Sequence, residues 1–370
     1  MLLKNILDIA NKHFFFSPIL TKNSKNVLFY QLGPSGSLFQ DNIKSEWIYS
    51  NVTNRDASIF LFAKNTCDKR HDNQTYMNVR DICNGQLPFG VAKISTRSSE
   101  AQDVHNITEN SYFNSLVRTC LSTQMYMPPS EGMHFFFDWQ RQRKLWWKKM
   151  SAFPGRYLLG EVTKSADEKI TSVNVLANFS WGNQILEKIS VMSLDEDSDV
   201  DLTVSVTILV RHLQILSFEI MRTATFKCSP LINYYLHLSA FYILYTDALD
   251  SDSVHKKPVL RIHRKLAPYK CIFAASNPTT AMELEQLAFY LTKQFRKSGI
   301  STACLPDCAK DTLPHQFQRN DEWGIPYTIV LDDNSLKSGI VNLRNRDTTL
   351  TEEVHVSELS PYITQIFKNF

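Results

Sequence analysis

The chain has 370 residues and a mass of 42.6 kDa, room for two or three domains at about 150 residues each. With 43% hydrophobic and 21% charged residues, it is neither a disordered nor a fibrous chain. Lys and Arg total 40 against 37 Asp and Glu, a net charge of +3, which excludes a chain that is polybasic throughout and confines any nucleic-acid site to a local patch.

The first stretch, MLLKNILDIANKHFFFSPILTKNSKN, is basic, and Asp8 is its one acid. Leu2, Leu3, Ile6, Ile9 and Ala10 form an apolar stripe at helical spacing. Asp8 and Lys12 break the run that a secretory signal needs, so residues 1–26 are expected to be a mitochondrial transit peptide, with a plain N-terminal helix as the alternative. From about Val27 to Asp252, short β-like runs recur: VLFYQL, SIFLFA, FGVAKI, VNVLANFSW and the alternating DLTVSVTILVRHLQIL. Gly33-Pro34-Ser35-Gly36 reads as a turn entering a helix, since no Lys-Ser/Thr follows to make a phosphate loop. The longest apolar stretch, Leu231 to Tyr245, is too short to span a membrane and carries Asn233 and His237, so it is expected in a core.

Two basic clusters interrupt this pattern. In DWQRQRKLWWKKM, Arg141, Arg143, Lys144, Lys148 and Lys149 fall within nine positions. At helical spacing Arg141, Lys144 and Lys148 line one face, and Trp139, Trp146 and Met150 another. The helix is either a phosphate-contacting surface anchored by its tryptophans or an ordinary solvated basic face. The second cluster, with Lys256, Lys257, Arg261, Arg264, Lys265 and Lys270, follows the acidic run Asp247 to Asp252. That composition shift sets the expected boundary between a domain over 27–256 and one over 257–370.

Beyond the boundary, strands and helices alternate: KCIFAAS, the amphipathic AMELEQLAFYLTKQFRKSG, ISTACL, HQFQRNDEWG, IPYTIVLD, KSGIVNLRNRD, TEEVHV and a terminal helix SELSPYITQIF. The order predicts an α/β domain around a mainly parallel sheet. Seven scattered cysteines (Cys67, Cys83, Cys120, Cys228, Cys271, Cys304 and Cys308) form no disulfide framework and fit a reducing compartment. Cys304, Cys308 and His315 lack the CxxC spacing of a zinc site, and neither metal nor cofactor is expected. The sequons at Asn51, Asn73, Asn106 and Asn178 would matter only in a secreted protein. GxGxxG, GxxxxGK[ST], HExxH and GxSxG are all absent.

The C-terminal run GIPYTIVLDDNSLKSGIVNLRNRDTTLTEEVHVSEL, preceded by Asp321-Glu322, resembles the anticodon-binding domain of class II aminoacyl-tRNA synthetases, the glycyl enzyme in particular. GPSGSLFQDNIKSEW resembles motif 1 of the catalytic domain, and LPFGVAKIS the approach to motif 2. The resemblance implies an α+β class II synthetase-like antiparallel-sheet domain followed by an α/β anticodon-binding-like domain. Aligned from Leu87-Pro88-Phe89-Gly90, the motif 2 positions that should hold Arg and Glu carry Ser99 and Ala101, with Arg97 and Glu100 out of register. The motif 3 region, Leu231 to Asp252, has neither glycine nor arginine. An adenylating enzyme has to neutralise triphosphate charge, so the resemblance implies a scaffold without that chemistry.

LPFGVAKIS, DWQRQRKLWWKKM, NFSWGNQILEKI and LRNRDTTLTEEVHVSEL together resemble the accessory subunit family of the mitochondrial DNA polymerase, polymerase gamma. That family implies a non-enzymatic matrix protein that binds the catalytic polymerase chain, contacts duplex DNA and raises processivity. The implied DNA contacts are Arg141, Arg143, Lys144, Lys148, Lys149, Lys256, Lys257, Arg261, Arg264 and Lys265. The implied partner contacts are Arg344, Arg346, Asp347 and Thr348; for Arg344, Arg346 and Asp347 a structural salt-bridged turn is the alternative. Only some forty residues separate Trp47 from Leu87, too few for the helical hairpin that builds the vertebrate homodimer. The expected form is therefore the short, insect-like one, with no homodimer and a one-to-one pairing with the catalytic chain. The alternatives are a divergent synthetase and an RNA-binding regulator.

Overall fold

The structure, a computed structural model, describes residues 8–20, 27–64, 69–98, 117–166, 170–179, 182–192, 203–208, 244–245, 247–248, 259–275, 279–305 and 311–368. The Ser99–Ala101 positions, Lys256, Lys257, Cys308 and most of Leu231–Asp252 lie outside these residues.

A helical turn over 8–12 leads into strand β1 (Phe16–Leu20), which pairs antiparallel with β2 (Val27–Leu32). Helix α1 (Pro34–Ile48) follows at once, with Pro34 in its first turn where a missing N–H costs nothing. The chain enters α1 so close to the N-terminal segment that a Cβ on Gly33 or Gly36 would strike the carbonyl oxygens of Phe14 and Phe15. Those same carbonyls accept the amides of Ser35 at 3.1 Å and Gly33 at 3.0 Å. Ala10, Phe15 and Phe16 are buried in the main core, Phe15 edge-on against Tyr245 at 4.9 Å. Of the stretch expected to be a leader, 1–26, residues 8–20 are described, and they pack against the rest of the chain. Cleavage after residue 26 would take with it a paired strand and two core phenylalanines.

Among the described residues the first large sheet has eight strands. β3 (Ser58–Lys64) runs parallel to β4 (Phe89–Ser98). The order then continues antiparallel through β5 (Val117–Tyr126), β10 (Thr203–Ile208), β9 (Gly182–Met192), β8 (Ile170–Phe179) and β6 (Tyr157–Leu159). A two-residue β7 (Thr163–Lys164) pairs with β8. One helix, α2 (Lys69–Ile82), lies between β3 and β4 and sets Tyr76 and Val79 against Phe89, Val91 and Tyr126. On the other face α3 (Pro129–Met150) crosses β8, β9 and β10. Its sequence contains no β-branched residue, opens on proline and carries Glu131 in the first turn and Lys148 and Lys149 in the last, all favourable to a long helix.

The second sheet is β12 (Thr302–Ala303), β11 (Cys271–Ala275), β13 (Tyr327–Leu331), β14 (Ile340–Asn345) and β15 (Thr351–His355), in that order. β11 is parallel to β12 and β13, whereas β13–β14 and β14–β15 are antiparallel. The sheet is therefore mixed, which corrects the expectation of a mainly parallel one. Helix α4 (Ala281–Lys297) and the terminal α7 (Val356–Lys368) cover one face through Leu284, Ala288, Leu291, Phe295, Leu359 and Ile363. α5 (Leu313–Glu322) packs on β11. A six-residue α6 (Asp333–Ser338), capped by the Asp332 side chain on the Ser335 amide, joins β13 to β14. Every residue of β11 and β13 is buried, as covered strands require. No helix among the described residues is long and apolar enough to cross a membrane.

The segment after the expected boundary belongs to both halves. Leu260, Ile262, Leu266 and Ala267 lie in the core of the first sheet. Its backbone is bonded to both sides: the Arg261 amide donates to Ala248 O at 3.1 Å, and the Leu260 amide to Asp321 O at 3.0 Å.

Candidate nucleic-acid and partner interface

Helix α3 presents two faces of different chemistry. Phe136, Trp139, Trp146, Trp147 and Met150 are buried, and burying each large apolar side chain contributes about 2–3 kcal/mol. Arg143 sits among them, fully buried. Its Nε and Nη2 donate to the Glu187 carboxylate at 2.9 and 2.6 Å, and its Nη1 to Ser50 Oγ at 3.2 Å. The Trp147 indole donates to the same carboxylate at 2.8 Å. No phosphate can reach this guanidinium, so the expected DNA contact at Arg143 is corrected: it is the buried partner of Glu187. The signal was in the spacing, because Arg143 lies four residues from both Trp139 and Trp147. Arg141 and Lys149 are exposed, and Lys144 and Lys148 half-exposed.

The end of α3 meets the second basic cluster. His263 is held by burial, and then by Arg264, Lys149, Lys265 and Lys270, at a pKa pulled down to about 4. Two clusters more than a hundred residues apart in sequence thus share one electrostatic neighbourhood. His263 Nδ1 accepts the Lys265 amide at 3.3 Å, an arrangement suited to the neutral ring. Lys265 also faces Glu46 at 3.8 Å and lies over the Tyr49 ring. Lys270 is pinned inward: its Nζ donates to the carbonyls of Arg264, Lys265 and Ala267 at 2.8, 2.6 and 3.0 Å. Burial draws its pKa down to about 7. Lys270 therefore shapes the turn that carries Arg264 and Lys265. Arg261 stands 3.5 Å from the Asp347 carboxylate. His263, Glu46 and Tyr49 were not among the residues expected from sequence; only the fold brings them to this turn.

The expected partner contacts divide in two. Arg344 is buried and makes a two-pronged pair with Asp321 at 2.8 and 2.9 Å, lying over the Phe317 ring. Arg346 is buried and donates to the carbonyls of Gly324 and Ile262, both at 2.9 Å, and to Asp347. Both guanidinium groups are turned inward and pin the β14–β15 turn to the domain junction. Asp347 and Thr348 remain on the surface of that turn, where the Asn345 side chain accepts both of their amides.

The junction is closed by the N-terminal segment. Lys12 Nζ and His13 Nε2 reach the Glu322 carboxylate at 2.5 and 3.2 Å. His13 stacks on Trp323, whose indole donates to Ser35 Oγ at 2.9 Å. Asn42 of α1 donates to the carbonyls of Leu266 and Ala267. Among the described residues no group of three His, Cys, Asp or Glu is placed to hold a metal ion.

Comparison with known proteins gives this geometry a setting. The profile of the anticodon binding domain family matches residues 271–366, which cover the second sheet and most of α7. The chain is 27% identical to the mitochondrial DNA polymerase subunit gamma-2 of Drosophila melanogaster over 291 residues, 75% of either chain. It is 23% identical to the DNA polymerase subunit gamma-2 of Bos taurus, over 81% of this chain but only 62% of the bovine one. It is also 23% identical to a glycine–tRNA ligase of Mycoplasma mycoides over 94% of this chain and 72% of that enzyme. The two resemblances drawn from the motifs are those of these relatives, and the α+β, synthetase-like fold class stands.

Proposed function

We propose that this chain is the non-catalytic accessory subunit of a mitochondrial DNA polymerase, acting in the matrix on mitochondrial DNA. The observation that carries this reading is the similarity to the fly gamma-2 subunit over three quarters of both chains. Ser99 and Ala101 at the motif 2 positions support a role without adenylation. The subunit binds the catalytic chain, slows its dissociation from primer-template and lengthens each round of synthesis. The domains proposed are a degenerate synthetase-like domain ending near 256 and an anticodon-binding-like domain after it, with the 259–270 segment packed into both. The proposed partner surface on the second domain includes Asp347 and Thr348.

Duplex contact is assigned to the junction cluster of Lys149, Arg261, Arg264 and Lys265, extended in sequence by Lys256 and Lys257. A small cluster of this kind supplies a few phosphate contacts, enough to supplement a protein partner at a net charge of +3. The stoichiometry proposed is one accessory to one catalytic chain, because among the described residues between Trp47 and Leu87 the one long helix is the 14-residue α2.

The test is primer extension by the catalytic subunit with and without the full-length protein at moderate salt. Longer products and co-sedimentation as a one-to-one complex are the expected result. Unchanged product length together with no complex would sink the reading. The similarity to glycine–tRNA ligases over most of the chain favours one second reading, a synthetase-derived protein that acts on tRNA. Glycine-dependent ATP–pyrophosphate exchange, or tRNA binding tighter than duplex binding, would move the assignment there.

A further inference from the structure

The outer face of α3 carries more than charge. Met133, Phe137 and Leu145 are 43%, 54% and 52% exposed. At 100° per residue they share a sector of about 120° with Arg141, Lys144 and Lys148. The buried residues Phe136, Trp139, Arg143 and Trp147 occupy the opposite side of the helix. The sector runs roughly 18 Å along the helix from Met133 to Leu145. Three large apolar groups interleaved with three cations are poorly matched to a duplex. A phosphate backbone rewards the cations and leaves the apolar groups unpaired. A protein surface rewards both: apolar anchors are desolvated at the centre of the contact, and charges at its rim steer and orient the partner.

We propose that this stripe is a second docking surface for the catalytic polymerase chain, receiving a segment with apolar anchors flanked by carboxylates. The proposal rests on the accessory-subunit reading and extends it from the anticodon-binding-like domain to the synthetase-like one. Charge complementarity fixes the occupant's chemistry. The sector's three cations face one acid at its edge, Asp138, which is engaged by His134 at 3.5 Å.

The test uses the full-length protein, the isolated catalytic chain and a plain duplex as separate probes. The triple variant Met133→Ser, Phe137→Ser, Leu145→Ser alters exposed groups only, and Phe137→Gln alone serves if the triple variant does not fold. The expected result is an affinity for the catalytic chain at least tenfold weaker, with duplex affinity unchanged within twofold. Lys144→Glu with Lys148→Glu is expected to weaken the same complex and to flatten its salt dependence. Catalytic-chain affinity unchanged in the apolar variant would overturn the proposal. An equal loss of duplex affinity would overturn it too, and would return the stripe to nucleic acid. Failure of the wild-type chain to bind the catalytic chain at all would remove the accessory-subunit reading and this one with it. Wild-type binding with an indifferent apolar variant would remove this one alone.

Discussion

At the scale of single residues, neighbouring cations on one helix have opposite fates. Arg141 and Arg143 are two positions apart, so they point about 200° apart around the axis. One meets water, and the other meets Glu187 in a site from which water is excluded. Removing one partner of a buried pair leaves the other charged and unsolvated. Arg143→Leu is therefore expected to cost about 3–5 kcal/mol, and Arg141→Ala less than about 0.5 kcal/mol. Urea unfolding of the two variants checks the contrast; equal midpoints would refute it. Adding Glu187→Leu to Arg143→Leu should recover much of the loss, because the stranded carboxylate is gone. Helical spacing made the two faces of α3 legible in the sequence. The partner of Arg143 was not legible, since Glu187 comes from the middle of a strand 44 residues away and only the strand register brings it under the helix.

At the scale of elements, the informative departures from sequence-based expectation come from chain connections. A parallel pair needs a crossover of about a dozen residues or more. β13 and β14 are joined through the six-residue α6, and β14 and β15 through the turn after Asn345, so those pairs are antiparallel. Both short connections were readable in the sequence, but the strand–helix alternation around them suggested a mainly parallel sheet. The N-terminal segment is a different case. Its amphipathic, lysine-bearing pattern suits a leader, and just after that stripe Phe15 and Phe16 fill the core beside Tyr245. Phe15→Ala is accordingly expected to lower stability by about 3–5 kcal/mol, as deletion of a fully buried aromatic ring does. A denaturant midpoint unchanged by this substitution would show that the segment is dispensable. A chain begun at residue 27 should likewise be less stable than the full one, and more severely so, because it also loses β1 and the contacts of Lys12 and His13 with Glu322.

At the scale of the whole molecule, the two sheets are joined by a segment that carries positive charge into a partly buried place. His263 is neutral there, with a pKa near 4 against 6.5 for the free side chain, because burial and four surrounding cations oppose its charging. The unfolded chain has no such opposition. Between pH 6.5 and 4 the unfolded state therefore binds a proton that the folded state refuses, and stability falls as pH falls. A depression of this size corresponds to at most about 3 kcal/mol, fully present above pH 6.5 and lost progressively toward pH 4. Charging the ring would also take away the Nδ1 acceptor that holds the Lys265 amide, loosening the turn that presents Arg264 and Lys265. His263→Gln keeps a polar side chain and removes the titration. Its stability should then change less than that of the wild type between pH 6.5 and 4.5, measured by urea unfolding at constant ionic strength. Parallel curves for the two proteins would mean that acid sensitivity lies elsewhere. Raised salt should narrow the gap between them, since part of the effect is repulsion from Lys149, Arg264 and Lys265, which reach solvent. Bound duplex should narrow it further: phosphates on those cations offset the field that keeps His263 neutral, so the same residue reports on both the junction and its occupancy.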